Sequence, residues 1–356
     1  MMIEIDGSYG EGGGQILRTS IALSALTMLP VRVSRIRAGR PKPGLKRQHM
    51  AGIDIIGQLV KAKVRGLEVG STTVEFSPRD RRGGHYSYDV GTAGSISLIL
   101  QAALPTAALA PEPIMLSLTG GTDVSWSPPI DYMREVFAHS VRKTGLHVEI
   151  SVRKRGHFPR GGGRVSCTIT PVEELSPLEL VDFGDTIRVS GISHCVRLPP
   201  HVAGRQANSA RSVLRENGIE QITIDTESYQ KNEDRHLGPG SGIVIWAESE
   251  QGARLGADRL GERGKPAEDV GSECAHQLID ELSTGMAVDS HLCDMLVPYM
   301  VLARGTSTIG VTKITAHLKT NLWVAQKMLD VDASLEGEIG GPGKLTVKGV
   351  GFSLRD

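Results

Sequence analysis

Aromatic residues are scarce in this sequence, at 4% of 356 positions, so a long track of bases stacked on rings is not expected. There are 4 cysteines, at Cys167, Cys195, Cys274 and Cys293, with no Cys-x-x-Cys pair. That scatter excludes a zinc ribbon and a disulfide framework, and it fits a reducing, cytoplasmic setting. Formal net charge is +0, so any grip on a nucleic acid must come from a local patch rather than a global field. No uninterrupted apolar run reaches membrane length. The most apolar stretch, residues 95–118, is broken by Gln101, Pro105, Pro111 and Glu112 and reads as helix, turn and strand, so no membrane association is expected. The opening Met-Met-Ile-Glu-Ile-Asp lacks the pattern of a signal peptide. What remains is a chain with 39% hydrophobic residues, enough for a real core. Its length implies two or three domains or one large repeated body.

What is abundant is glycine, and its densest local use is informative. In Asp6-Gly-Ser-Tyr-Gly-Glu-Gly-Gly-Gly-Gln-Ile-Leu-Arg-Thr-Ser20, Gly10, Gly12, Gly13 and Gly14 surround Glu11. An apolar helical pattern follows at once with Ile16, Leu17, Ile21, Leu23 and Leu26. A glycine turn opening a helix exposes unpaired N–H groups at the positive end of the dipole, which suits phosphate. A carboxylate in such a turn repels phosphate unless a cation lies between them, so Glu11 points to a divalent metal bridging protein and nucleotide. No Gly-Lys-Ser/Thr follows, which excludes a Walker A loop, and Gln15 stands where a dinucleotide fingerprint needs its third glycine. On these residues alone the turn also suits a helix that packs closely on a sheet.

The chain repeats its pattern. The first unit reads as a helix over 14–26, a strand ending at Ile36, a helix over 44–62 and strands across 64–76. The second has a helix over 93–104, a strand over 114–118, a helix entered at Pro128-Pro129 and reaching Lys143, and strands over 147–152 and 164–169. The third has a helix over 290–302, a strand over 309–315, a helix over 319–329 and strands near 333–338 and 344–347. Each unit is a small sheet with two helices on one side, unable to cover its own apolar face, whereas three packed together can. Residues 181–284 break the period and read as strand (187–193), helix (202–216), strands (222–227 and 242–249) and helix (267–282). The expected architecture is therefore α/β (α+β): a body of three repeated units, 1–180 and 285–356, with an inserted smaller α/β domain, 181–284.

Two cationic loops stand out. Between Glu11 and Asp54 there is no acid, yet Arg18, Arg32, Arg35, Arg37, Arg40, Lys42, Lys46 and Arg47 lie there. Solvated charge runs usually mix both signs, so this run is read as a phosphate clamp, for which arginine forks are suited; a solvated surface run is the alternative. Arg153-Lys-Arg-Gly-His-Phe-Pro-Arg-Gly-Gly-Gly-Arg164 is a second such loop, either a hairpin tip with ordinary charges or a contact for one end of a polyanion. His317 sits at a strand-to-helix junction, where functional side chains reach a cleft. In Asp289-Ser-His-Leu-Cys-Asp-Met295, Asp289 or Ser290 can cap a helix. His291 and Asp294, three apart, share a helical face that could hold a nucleotide or metal.

Together these stretches resemble the RNA 3′-terminal phosphate cyclase family. The matching pieces are Gly10-Glu-Gly-Gly-Gly-Gln-Ile-Leu-Arg18, Ile36-Arg-Ala-Gly-Arg-Pro-Lys-Pro-Gly-Leu45, Gly94-Ser-Ile-Ser-Leu-Ile-Leu-Gln101, Arg160-Gly-Gly-Gly163, Leu260-Gly-Glu-Arg-Gly264 and His317-Leu-Lys-Thr-Asn321. They keep their order over nearly the whole chain. The resemblance implies three repeated α/β units with an insertion, and ATP-dependent conversion of an RNA 3′-phosphate to a 2′,3′-cyclic phosphate. It places the nucleophilic histidine on His317. ATP contacts fall on Gln101 and on His291, Leu292, Cys293, Asp294 and Met295, and a metal- and nucleotide-associated carboxylate falls on Glu11. Arg18, Arg40 and Arg47 are expected on substrate phosphate, with Mg²⁺ or Mn²⁺ at Glu11. The expected partners are ATP and RNA ending in a 3′-phosphate, with no obligate protein partner evident. One departure stands out: family members commonly carry Gln after the Asp of the ATP window, where this chain has Met295, which has no amide to donate. The alternatives are a non-catalytic RNA-binding ribosome-assembly factor of the same family, against which His317 argues, and an enolpyruvyl-transferase-like enzyme. A conventional ligase is disfavoured, since no Lys-x-Asp-Gly occurs.

Overall fold

The helix-strand-helix-strands period read from the sequence is, in the structure, a βαβαββ unit used three times. The computed structural model describes residues 2–10 and 12–353. Unit one comprises β1 (Ile3–Asp6), α1 (Gly14–Thr27), β2 (Val31–Ser34), α2 (Arg47–Leu59), β3 (Lys63–Arg65) and β4 (Val74–Ser77). Unit two comprises β5 (Gly84–Asp89), α3 (Ile96–Ala108), β6 (Ile114–Gly120), a helical rod α4, β7 (His147–Lys154) and β8 (Gly163–Thr170). The α4 rod runs over 130–144 and holds a π-helical turn at Met133–Phe137. β9 (Glu179–Leu180) starts unit three and is followed by the insertion: β10 (Thr186–Val196), α5 (His201–Glu216), β11 (Ile222–Glu227), β12 (Gly240–Ser249), β13 (Arg254–Leu260) and α6 (Ala267–Ser283). Unit three resumes with α7 (Leu292–Leu302), β14 (Arg304–Val311), α8 (Ala316–Leu329), β15 (Asp332–Gly337) and β16 (Gly343–Val350).

The strand orders are β1-β2-β4-β3, β5-β6-β8-β7 and β9-β14-β16-β15. In each, the first two strands are parallel and the others antiparallel. The shared order makes β9, only two residues long, the counterpart of β1 and β5. The insertion thus enters unit three between its first strand and its first helix. It forms its own sheet, β11-β10-β12-β13, against which α5 and α6 pack.

Helices fill the space between the sheets. α1 packs on α2, α3 and α8, and α3 also meets α2 and α7. Contacts on several sides explain why α3 and α7 read as apolar almost all round. Ile16, Leu17, Ile21, Leu23 and Leu26 of α1 are all buried, each burial contributing roughly 1.5–3 kcal/mol. β13 of the insertion lies on α4, where a Cβ on Gly256 would come within 2.5 Å of the Tyr132 ring.

Several boundaries differ from expectation. α2 starts at Arg47 rather than residue 44, because Gly44 has φ +81° and its added Cβ would lie 2.2 Å from Gly70 O. The strand placed at 309–315 runs instead over Arg304–Val311. Residues beyond it turn into α8, whose cap Thr315 accepts the Leu318 N–H. β1, β5, β9 and β13 were not anticipated. β13 carries two arginines and an aspartate, and β5 is largely solvent-facing, so neither shows a strong apolar alternation. No described helix is long and apolar enough to cross a membrane.

Candidate active site

Because the three units share one topology, their strand-to-helix turns fall at corresponding ends, and the starts of six body helices line one cleft of about 750 Å³. α1 presents Gly13, Gly14 and Gln15, and α2 presents Lys46 and His49. α3 presents Ser95 and Leu98, and Pro128 lies ahead of α4. His291 and Asp294 come from the start of α7 and His317 from that of α8. Each helix start offers spare N–H groups and partial positive charge, so their convergence makes an anion-binding cavity before any side chain is considered.

Side chains add to this. Arg18, Arg37, Arg40 and Lys46 all line the cleft. The charges that lower the Lys46 pKa are Arg37, Lys42 and Arg40, all cations, with Arg37 the largest cause. Burial, then Arg40, lowers that of Arg37, whose guanidinium donates to the Lys42 and Gly44 carbonyls. Desolvation pulls Arg18 down to about 10, opposed by Asp294. His49 is held at about 3, by burial first and then by Arg18, Arg37 and Lys46. It is therefore neutral, and its Nδ1 accepts the Lys46 N–H at 3.1 Å. An excess of cations over acids at this wall is an electrostatic demand for an anion.

The glycine turn is fitted to this wall and to α8. A Cβ on Gly14 would lie 2.4 Å from His49 Nε2. Gly10 has φ +57°, and its added Cβ would be 2.8 Å from Thr320 Oγ1. Tyr9 stacks on Trp323 with centroids 4.0 Å apart. The turn thus rests on the helix that carries His317, and Gln15 Nε2 donates to the His317 carbonyl at 3.4 Å. Units one and three are further tied where Thr19 donates to Asn321 and Asn321 donates to the Asp294 carbonyl. Asp294 accepts from Thr315 Oγ1 at 2.6 Å. Burial pushes its carboxyl up to about 6, opposed by Thr315 and His317.

The sequence-predicted residues fare unequally. His317, Gln101, His291, Asp294, Met295, Arg18 and Arg40 come together in the cleft. Gln101 Nε2 donates to Met295 Sδ at 2.9 Å, so two of the positions at which nucleotide contacts were expected are partners of each other. Leu292 and Cys293 belong to the buried core behind the cleft, and Arg47 is exposed and outside its lining. Glu11 lies outside the described residues. Asp289 is the effective cap of α7: Oδ1 accepts the His291 and Leu292 N–H groups and the Tyr132 hydroxyl, and Oδ2 accepts from Gly256 N.

Sequence reasoning did not single out His49, Asp258 or Trp126, all of which line the cleft. Asp258 comes from the insertion and lies 3.8 Å from His291 Nε2. Trp126 is 99% exposed. No spacing rule reaches Asp258, but an isolated tryptophan in a Ser-Trp-Ser-Pro-Pro turn was a usable signal. In the second cationic loop Arg153, Arg160 and Arg164 are exposed, and Arg155 alone departs from expectation. Arg155 is 1% exposed and paired with Asp131 and Glu227 at 2.8 and 2.6 Å, so it is committed to the fold and does not face solvent for a polyanion.

Three βαβαββ units, closing their helix starts around cations and a histidine, define an anion-binding α/β repeat protein. The family model described as RNA 3′-terminal phosphate cyclase matches residues 9–335. The chain is 52% identical over 348 residues to a protein of Methanopyrus kandleri named RNA 3′-terminal phosphate cyclase, covering 98% of this chain and 99% of that one. It is 49% identical to the protein of that name from Ignicoccus hospitalis, with 98% and 99% covered. For the one from Thermococcus kodakarensis the identity is 50%, with 97% and 98% covered. The chain belongs to the RNA 3′-terminal phosphate cyclase family.

Proposed function

We propose that this chain is an ATP-dependent RNA 3′-phosphate cyclase working through a histidine-AMP intermediate. The observation that carries the reading is His317 at the start of α8, inside a cleft built of helix starts and cations. In this reading the His317 imidazole attacks the α-phosphorus of ATP and pyrophosphate leaves. An oxygen of the RNA 3′-phosphate then displaces the histidine and takes the AMP. Finally the adjacent 2′-hydroxyl attacks the 3′-phosphorus, closing the ring and expelling AMP. The covalent intermediate divides one hard displacement into easier ones, and the last step is intramolecular, so positioning carries much of it.

The cleft's volume falls within the roughly 300–1,000 Å³ typical of ligand pockets, and its cation excess suits a triphosphate. Arg18 and Arg40 are assigned to phosphate, joined by Arg37 and Lys46. Gln101, His291, Asp294 and Met295 are assigned to the nucleotide. Met295 gives a soft, donor-free wall where an amide would read a base edge. Trp126 is assigned to a base of the RNA end, as a single stacking platform. A divalent ion, Mg²⁺ or Mn²⁺, assigned to Glu11, would neutralise charge on the transferring phosphates. Residues 1–180 and 285–356 are taken as the catalytic body and 181–284 as an inserted domain that supplies Asp258 to the cleft wall.

The test is incubation with ATP labelled at the α-phosphate, without RNA, beside His317→Ala. The expected result is an acid-labile AMP adduct on the wild type alone. Absence of adduct from folded protein in both Mg²⁺ and Mn²⁺, together with salt-sensitive RNA binding, would replace this reading with that of a non-catalytic RNA binder.

A further inference from the structure

Behind the cleft lining, at the seam between body and insertion, Asp123, His157 and His194 form a buried cluster. Asp123 follows β6, His157 lies between β7 and β8, and His194 is on β10. Each offers a ligand atom, and these atoms all lie within 4.8 Å of one another. The residues are 2%, 6% and 0% exposed. Asp123 Oδ1, His157 Nε2 and both ring nitrogens of His194 have no hydrogen-bond partner among the described residues. A single buried polar group left unsatisfied costs about 1–3 kcal/mol, so several gathered at one place call for a ligand.

The charge balance points the same way. Asp123, Asp131 and Glu227 surround the one guanidinium of Arg155, at 3.5, 2.8 and 2.6 Å. Three carboxylates around one buried guanidinium leave the seam with an excess of negative charge.

We propose that Asp123, His157 and His194 bind one divalent transition-metal ion of the zinc type, clipping the inserted segment to the catalytic body. Two imidazole nitrogens and a carboxylate oxygen are a donor set that Zn²⁺ accepts, whereas Mg²⁺ prefers oxygen ligands throughout. A further donor, His236, lies within electrostatic reach of His157. It is buried, its Nε2 has no partner among the described residues, and its Nδ1 is held by Asp234 at 2.8 Å. A carboxylate behind a histidine in this way orients the ring for a metal. The ion would also brace the cleft, since Asp123 directly precedes the wall segment 124–128 that carries Trp126.

The experiment uses the full chain, stripped with a chelator and titrated with Co²⁺ and then Zn²⁺. One equivalent of Co²⁺ is expected to give the intense visible bands of a low-coordinate site, without thiolate charge transfer, and Zn²⁺ is expected to bleach them. Glu11→Gln should keep these bands, which separates this ion from the one assigned to Glu11 in the reaction cleft. His157→Gln and His194→Gln should weaken binding by more than roughly 100-fold, beyond the loss of an outer hydrogen-bond partner. A pale octahedral spectrum from the wild type, no binding at one equivalent, or bands unchanged in folded His157→Gln would overturn the proposal. The wild-type titration decides even if His194→Gln does not fold.

Discussion

The two cationic glycine loops look alike as sequence, and the structure gives their arginines different charged neighbours. The loop before α2 holds Arg37, Arg40 and Lys46 against a cleft, with other cations as their principal charged neighbours. The loop between β7 and β8 buries Arg155 among Asp123, Asp131 and Glu227. Its glycines are spent on close packing. A Cβ on Gly156 would lie 2.3 Å from Gly163 N, and one on Gly161 would lie 2.6 Å from Thr92 O. The difference teaches that a cation's role is set by the acids that fold brings to it. The first loop belongs to an acid-free segment. In the second, Arg155 meets acids more than twenty residues before it and about seventy after it, which no local window contains.

The sharpest way to test this contrast is to remove the buried cation. Arg155→Met leaves three carboxylates at the seam without their counter-charge, and we expect a loss of about 3–5 kcal/mol in denaturant unfolding. A loss under 1 kcal/mol would mean that the seam is wetter or otherwise compensated. The cleft's own acid gives the next effect. Asp294 has a folded pKa raised to about 6 from 3.8, so the native state holds this proton more tightly than the unfolded chain does. Its contribution to stability is therefore fully present below the unfolded pKa and is lost as pH rises through about 6. Relative to Asp294→Asn, the wild type should lose up to about 3 kcal/mol over that window, read from unfolding curves at paired pH values. Parallel curves would show that Asp294 is not desolvated as the structure implies.

Much of the chain was legible because its longer helices, in body and insertion alike, carry a clear apolar periodicity. α1, α5, α6 and α7 fall within a few residues of expectation, as do β6, β11 and β16. What escaped detection was set by tertiary context. β9 is two residues long and exists because β14 pairs with it. β13 is strand because it pairs with β12 and packs on α4, despite its charges. In the cleft, the glycine turn, the first basic loop and His317 were visible as local motifs. Asp258 was not, because it reaches the cleft only through the docking of the insertion. Asp123, His157 and His194 are each ordinary in sequence and acquire meaning only as neighbours.

The smallest effects separate residues within the first loop. Arg40 is exposed at the cleft rim, with no ion pair to a carboxylate among the described residues, so Arg40→Ala should leave stability unchanged within about 0.5 kcal/mol. It should raise the RNA concentration needed for half-maximal cyclisation about tenfold, roughly 1.4 kcal/mol, and lower the slope of RNA affinity against salt by about one. Arg47, seven residues on in the same run, opens α2 and lies outside the cleft lining. Arg47→Ala should therefore change neither stability nor RNA use by more than about twofold, which is under 0.5 kcal/mol. Both are arginines in one acid-free stretch, and sequence gave no reason to rank them. If Arg47→Ala impaired cyclisation as much as Arg40→Ala, the run would act as a diffuse electrostatic field, and the cleft geometry would not be what selects its members. Unequal effects would show that a few ångströms of placement, set by where α2 begins, decide which cation meets phosphate.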